Sequence, residues 1–256
     1  MSRDQRGFTL IEMSIVLVII GLIVGGILKG QEVIESARQK NVAAMYDQIR
    51  AAQNTFVDRY RALPGDFNEG STKISAQVPN GDRNGFIAAA AGVAASNAAA
   101  IAAIDGGAGE FFGYFQGLVA AGLYGGGQVA STSSGMSVFS GTATPSPLPQ
   151  APWNNTGFTA ASGTHEGQTA APASALTAVW LRLAGVTDGI AAAADAALTG
   201  ASAYQIDQKF DDGVPGLGRI RNTGKLATGV CGDAETAYTV TASTETRECD
   251  LLFAVD

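Results

Sequence analysis

Residues 6–28 read RGFTLIEMSIVLVIIGLIVGGIL, and this stretch decides what kind of molecule the chain makes. From Phe8 onward its 21 positions (residues 8–28) are apolar apart from Thr9, Glu12, Ser14 and three glycines. As a helix rising about 1.5 Å per residue the run spans roughly 30 Å, the hydrocarbon thickness of a bilayer. An ordinary secretory signal has an apolar core of only about 7–15 residues. Ahead of the run, Arg3, Arg6 and the amino terminus outweigh Asp4. Positive charge on a short flank holds that flank in the cytoplasm, so the C-terminal body is expected to be exported.

Glu12 is the anomaly in this run. A carboxylate within a membrane helix costs about 2.5–3.5 kcal/mol at the helix centre on insertion scales, and less near an end. The run itself contains no basic side chain. Were the chain cut between Gly7 and Phe8, an α-ammonium would appear at Phe8, about one helical turn from Glu12. Between staggered neighbouring helices the two charges could meet directly. Such a pair sets axial register, because a misregistered neighbour leaves a charge buried and alone.

The segment Arg6-Gly7-Phe8-Thr9-Leu10-Ile11-Glu12-Met13 resembles the prepilin leader junction of type IV pilins and type II secretion pseudopilins. The resemblance implies cleavage after Gly7 by a prepilin peptidase, N-methylation of Phe8, and a role in assembly for Glu12, the fifth mature residue. It also implies a single-pass inner-membrane precursor with a periplasmic C-terminal domain, then a periplasmic or cell-surface filament. The implied partners are further copies, other pilin-like subunits, the peptidase, and an assembly ATPase with its platform protein. A plain membrane anchor would have no use for Glu12. Many type IV pilins carry a proline where Lys29 stands here. Gly21, Gly25, Gly26 and Gly30 would ease unwinding of this stretch, or equally allow close helix packing.

Beyond the apolar run, Val42, Met45, Ile49, Ala52, Phe56, Tyr60 and Leu63 recur every three or four residues, one face of a helix. Pro64-Gly65 is expected to stop it, so one helix is expected over residues 8–63. Residues 64–85 read as loop and residues 87–104 as an Ala-rich helix or low-complexity segment. Residues 110–123, with Phe111, Phe112, Tyr114, Phe115, Leu118 and Val119, are expected to form a second helix docked on the first. Residues 125–169 are rich in Gly, Ser, Thr and Pro and read as a long surface loop or short strands. A further helix is expected over 188–198, and a short one over 204–210 followed by a turn at Asp211-Asp212-Gly213. Strands are expected to begin near 218–221 and to cover 229–231, 238–242 and 251–255. Pro64-Gly65-Asp66 and residues 206–215 also resemble motifs of a subset of large pilin-like proteins from Gram-negative bacteria.

Cys231 and Cys249, both near the end of the chain, read as one local bridge if the domain faces an oxidising compartment, or otherwise as two reduced thiols. A bridge here would stabilise by roughly 3 kcal/mol in the chain-entropy model. Two thiols and a lone His165 make a poor zinc set. The net charge of −7 argues against nucleic acid as a partner. No catalytic motif is present, so the chain is not read as an enzyme. Asp82-Arg83-Asn84-Gly85, and Asp207 with Asp211 and Asp212, offer oxygen ligands of the kind calcium takes, although ordinary turn chemistry uses the same residues.

The expected fold is α+β: a long N-terminal transmembrane and amphipathic helix, then a pilin-like globular domain with extra helices and a small antiparallel β-sheet. The expected organisation is a leader at 1–7, a transmembrane or filament-core helix at 8–28, its amphipathic continuation at 29–63, and an exported domain with large loops at 64–256. The expected function is that of a structural filament subunit without a cofactor, a type IV pilin, major or minor. The alternatives are a pseudopilin of a type II secretion system and, outside that class, a membrane-anchored periplasmic binding module.

Overall fold

With no proline before Pro64 to break it, the chain from Leu10 onward forms one long helix, α1 (Leu10–Tyr60), which runs through Gly21, Gly25, Gly26 and Gly30. The computed structural model describes residues 10–87, 110–129, 148–153, 156–165, 176–185, 197–222, 231–233, 237–238 and 249–255. Helix α1 ends three residues before Leu63, the expected limit. The reason is local: Arg61 adopts a φ of +55°, the left-handed conformation that terminates helices. Its amide still donates to the Val57 carbonyl at 2.8 Å.

The chain divides into two compact units, Met1–Lys40 and Asn41–Asp256. In the first, every large apolar side chain from Leu10 to Ile34 is exposed, Leu22 by 73%. The second has an ordinary core. There Val42, Ile49, Ala52 and Phe56 are buried, with Met45, Tyr60 and Leu63 half-buried against them. The helical periodicity in the sequence therefore marks the core face of α1.

Against that face lies α3 (Glu110–Ala120), which buries Phe111, Tyr114, Phe115 and Leu118. Tyr114 donates its hydroxyl to Gln53 Oε1 on α1 at 2.8 Å. The helix closes three residues earlier than expected, in a turn where Gly122 has a φ of +70°. The preceding loop contains one helical turn, α2 (Gly70–Lys73), in a segment expected to be loop throughout. Gly65, at a φ of +89°, passes so close to α3 that a Cβ there would run into the Glu110 carbonyl. Residues 88–104 of the expected Ala-rich segment lie outside the described residues, as do residues 188–196 of the helix expected over 188–198.

Four strands form an antiparallel sheet in the order β1-β2-β6-β3. They are β1 (Thr156–His165), β2 (Leu176–Gly185), β3 (Ile220–Asn222) and β6 (Leu251–Val255). A second, two-stranded sheet joins β4 (Gly232–Asp233) to β5 (Ala237–Tyr238). Along β6, alternate residues turn to opposite faces. Leu251, Phe253 and Val255 join the core with Phe158, Leu181 and Leu183, whereas Leu252 and Ala254 join a separate cluster with Trp180. The core face meets α1 through Tyr46, whose ring lies 5.4 Å from Phe253 and whose hydroxyl donates to the Ala254 carbonyl.

Two expectations are corrected here. Thr156–His165 falls in the stretch expected as surface loop or short strands, yet it is a ten-residue strand, buried over residues 156–163. Its Gly, Ala, Ser and Thr residues become strand because they pair with β2 along its whole length, from Thr156↔Gly185 to His165↔Leu176. β2, an inner strand of the sheet, falls in a segment for which no strand was expected at all. Residues 229 and 230 of the strand expected over 229–231 lie outside the described residues; Cys231 is not in a strand, and β4 covers Gly232–Asp233. Helix α4 (Gly200–Phe210) starts four residues before Tyr204, because the Thr199 side chain caps it by accepting from the Ser202 amide at 3.2 Å.

Candidate functional site

The residues that carry the expected function lie at the N-terminal end. Gly7 and Phe8 are outside the described residues. Glu12 lies in the first described turn of α1. From there the exposed apolar surface continues through Ile34. No residue of its most apolar stretch is buried, and α1 is the one helix among the described residues long and apolar enough to cross a membrane. Charge appears where the run ends. Lys29 pairs with Glu32 at 2.6 Å, and Arg38 with Glu35 at 3.5 Å. Both members of the first pair are exposed, so it contributes little to stability.

At the other end of the chain Cys231 and Cys249 are joined as a disulfide, with their Cα atoms 5.2 Å apart. The bridge is buried against the core, and Leu198 pairs with Cys249 as an isolated β-bridge. Of the two readings open to the sequence, the oxidised one is the one the fold adopts.

The tertiary structure gathers two groups of carboxylates. In the first, Asp66, Asp82 and Glu110 bring one oxygen each within 4.8 Å of the others. Their oxygens accept amide donors. Asp66 accepts from the Asn84 and Gly85 amides at 2.9 Å each, and Asp82 from the amide and side chain of Asn84. Glu110 accepts from the Asp82 amide at 3.0 Å. Arg83 and Gly85 both take positive φ, which turns these amides inward. Burial, opposed by those amides, raises the Asp66 carboxyl above its ordinary range. The group ties the loop after α1 to the start of α3. Pro64-Gly65-Asp66 was visible as a motif, but nothing local in the sequence marks Glu110 as its companion.

The second group is Asp207, Asp211 and Asp212, again within 4.8 Å. Asp207 is fully buried in the last turn of α4 and accepts from the Tyr238 hydroxyl at 2.8 Å. Asp211 accepts from the Arg219 and Ile220 amides, and Asp212 from the Val214 amide. Gly213, at a φ of +75°, makes the turn between them. This group joins α4, β3 and β5, and through β5 the segment closed by the disulfide. Tyr238 was anticipated only as a strand residue, since its partner is 31 positions away.

Burial is the main cause that pushes the Asp207 carboxyl up to about 7, and the charges of Asp212 and Asp211 add to it. The folded state therefore holds a proton that the unfolded chain has lost. That stability is present in full below about pH 4 and is lost as pH rises through about 7. Asp207→Asn removes the charge while leaving an oxygen for Tyr238. Thermal melts should show it roughly 5 °C more stable than the parent at pH 8, equivalent to about 2 kcal/mol in a domain of this size, with the gap narrowing at pH 5 and closing at about pH 4. A gap that is the same at both pH values would refute the assignment.

Residues 2–28 match the family model described as the prokaryotic N-terminal methylation motif. No curated protein and no solved structure matches the chain. The matched segment contains Gly7, Phe8 and Glu12 and ends where the apolar run ends, at Leu28. A methylation motif leading into one long exposed apolar helix, followed by an α+β body closed by a disulfide, identifies the chain as a bearer of the type IV pilin and pseudopilin signature.

Proposed function

We propose that the chain is a type IV pilin, cleaved between Gly7 and Phe8 by a prepilin peptidase, N-methylated at Phe8, and assembled through α1 into a filament. The observation that carries this reading is the methylation motif at the head of a helix whose apolar residues through Ile34 are all exposed. Such a surface is satisfied first by lipid and then by the helices of neighbouring subunits. Before assembly the chain spans the inner membrane once, with its body in the periplasm. The disulfide supports that side of the membrane, since bridges persist in the oxidising periplasm. Glu12 pairs with the Phe8 ammonium of a neighbour, and an assembly ATPase with its platform protein extracts the subunit from the bilayer. A pseudopilin of type II secretion would share every one of these steps. Deleting the gene separates the two, since loss of surface filaments with normal exoprotein release marks a pilin.

The first measurement is mass spectrometry of the N-terminal peptide from the protein purified out of its native host. A peptide beginning at N-methylated Phe8 is expected. One beginning at Met1, or beyond Leu28, would overturn the reading.

The subunit is proposed to work without a metal. Calcium takes six to eight oxygen ligands, and the carboxylate oxygens of both groups already accept protein donors that hold turns in place. Calorimetric titration with calcium is expected to give no heat. Measurable heat that Asp66→Asn or Asp211→Asn removes would assign a cation to the corresponding group.

A further inference from the structure

The segment after α2 contains Asn84-Gly85. In such a pair the asparagine side-chain amide is open to attack by the next backbone nitrogen, because glycine puts no Cβ in the way. Both residues are exposed, so water reaches them. Three contacts address the atoms of this attack. The Gly85 amide donates to Asp66 Oδ2 at 2.9 Å, which places a carboxylate on the proton that the nitrogen must lose. Asn84 Oδ1 accepts from the Phe86 amide at 2.7 Å, a donor where negative charge develops as the carbonyl is attacked. Asn84 Nδ2 donates to Asp82 Oδ2 at 2.9 Å, so the departing nitrogen has a carboxyl group beside it. Asp66 is buried and also accepts from the Asn84 amide at 2.9 Å, which fixes its position.

The same segment holds a second pair of this kind, Asn80-Gly81. Asn80 Oδ1 likewise accepts an amide, that of Ser71 at 2.8 Å. The Gly81 amide, however, donates to the Phe67 carbonyl at 3.0 Å, a neutral acceptor that does not take up a proton. The two pairs therefore differ in the base: a carboxylate at Gly85, a backbone carbonyl at Gly81.

We propose that Asn84 is a self-modification site, converted to aspartate and isoaspartate through a cyclic imide with Gly85. Asp66 takes the Gly85 amide proton as that nitrogen bonds to Asn84 Cγ. The Cγ–Nδ2 bond then breaks and its electron pair leaves with Nδ2. The proton passes from Asp66 to Asp82, one oxygen of each lying within 4.8 Å of the other, and on to Nδ2, which departs as ammonia. Water opens the imide at either carbonyl, so water is the only other reactant. The product carries one more negative charge and has lost the donor to Asp82. Carboxylates then crowd the point where the Asp82 amide ties this segment to Glu110 at the start of α3, and the tie loosens as the protein ages. The inference does not depend on the filament reading.

The test incubates the purified full chain in detergent near neutral pH in H₂¹⁸O and reads ¹⁸O uptake at both asparagines by peptide mass spectrometry. Asn84 is expected to convert about tenfold or more faster than Asn80. It is also expected to convert faster in the folded protein than in the same chain unfolded in urea. Asp66→Asn should remove that acceleration, with Asn80 in the same sample reporting whether the segment has opened. A folded Asn84 that converts no faster than the unfolded one would overturn the proposal, since the contacts would then protect the amide rather than activate it. That comparison needs no variant, so it decides the question even if Asp66→Asn opens the segment. Parent-like conversion of Asn84 in a folded Asp66→Asn chain would exclude Asp66 as the base. Asn84→Asp, which makes one product directly, should melt about 3 °C below the parent, and an unchanged Tm would remove the loosening.

Discussion

Replacing Glu12 by alanine is expected to abolish filament assembly while leaving cleavage after Gly7 and methylation of Phe8 intact. The carboxylate sits in the first turn of α1, at the head of an apolar surface that runs exposed to Ile34. Removing it makes the helix more comfortable in lipid, by up to about 2.5–3.5 kcal/mol on insertion scales. Membrane insertion of the precursor should therefore improve as assembly fails. On the proposed filament reading, the neighbour's Phe8 ammonium loses its partner and enters an apolar bundle unpaired, a cost of about 3–5 kcal/mol per broken buried pair. Repeated at every subunit, that cost is enough to stop growth. Immunoblots of sheared filaments, with mass spectrometry of the membrane fraction, read both halves of the prediction. Glu12→Gln should behave like alanine, because the charge rather than the shape carries the interaction. Normal filaments from either variant would exclude Glu12 as the assembly residue.

The second large effect is expected in the body. Asp250→Ala should destabilise the unit Asn41–Asp256 by about 3–5 kcal/mol, lowering Tm by roughly 10 °C or more in a chain of this size. Asp250 precedes β6 and receives the Arg182 guanidinium from β2, with Nε at 3.1 Å and Nη2 at 2.5 Å. Its other oxygen accepts from the Ala197 amide at 3.0 Å. Both side chains are almost fully buried. Truncating the acid strands the guanidinium in the interior without its carboxylate. Exchanging both residues for apolar ones of similar volume, Arg182→Met with Asp250→Leu, should recover most of the loss, since desolvating two charges is itself expensive. Thermal melts of the two single variants and the double complete the cycle. A double variant no more stable than Asp250→Ala would show that the pair is not the source of the effect.

The sequence alone determined the long helix, its apolar first half and the place of its N-terminal acid. These are legible because each is a local pattern: an unbroken apolar run, a 3.6-residue recurrence from Val42 to Phe56, and one acid at a fixed offset from Phe8. The terminal strand Leu251–Val255, a short apolar run, was legible for the same reason. Only the tertiary structure decided the sheet that this strand completes. The segment from Thr156 to His165 is small and polar by composition and becomes a buried strand by pairing with Leu176–Gly185. Asp66, Asp82 and Glu110 span 44 positions, and Arg182 meets Asp250 across 68. Local patterns record how a segment folds on its own. Pairing between segments depends on which surfaces remain to be covered once those elements have formed, and no single stretch of the chain encodes that.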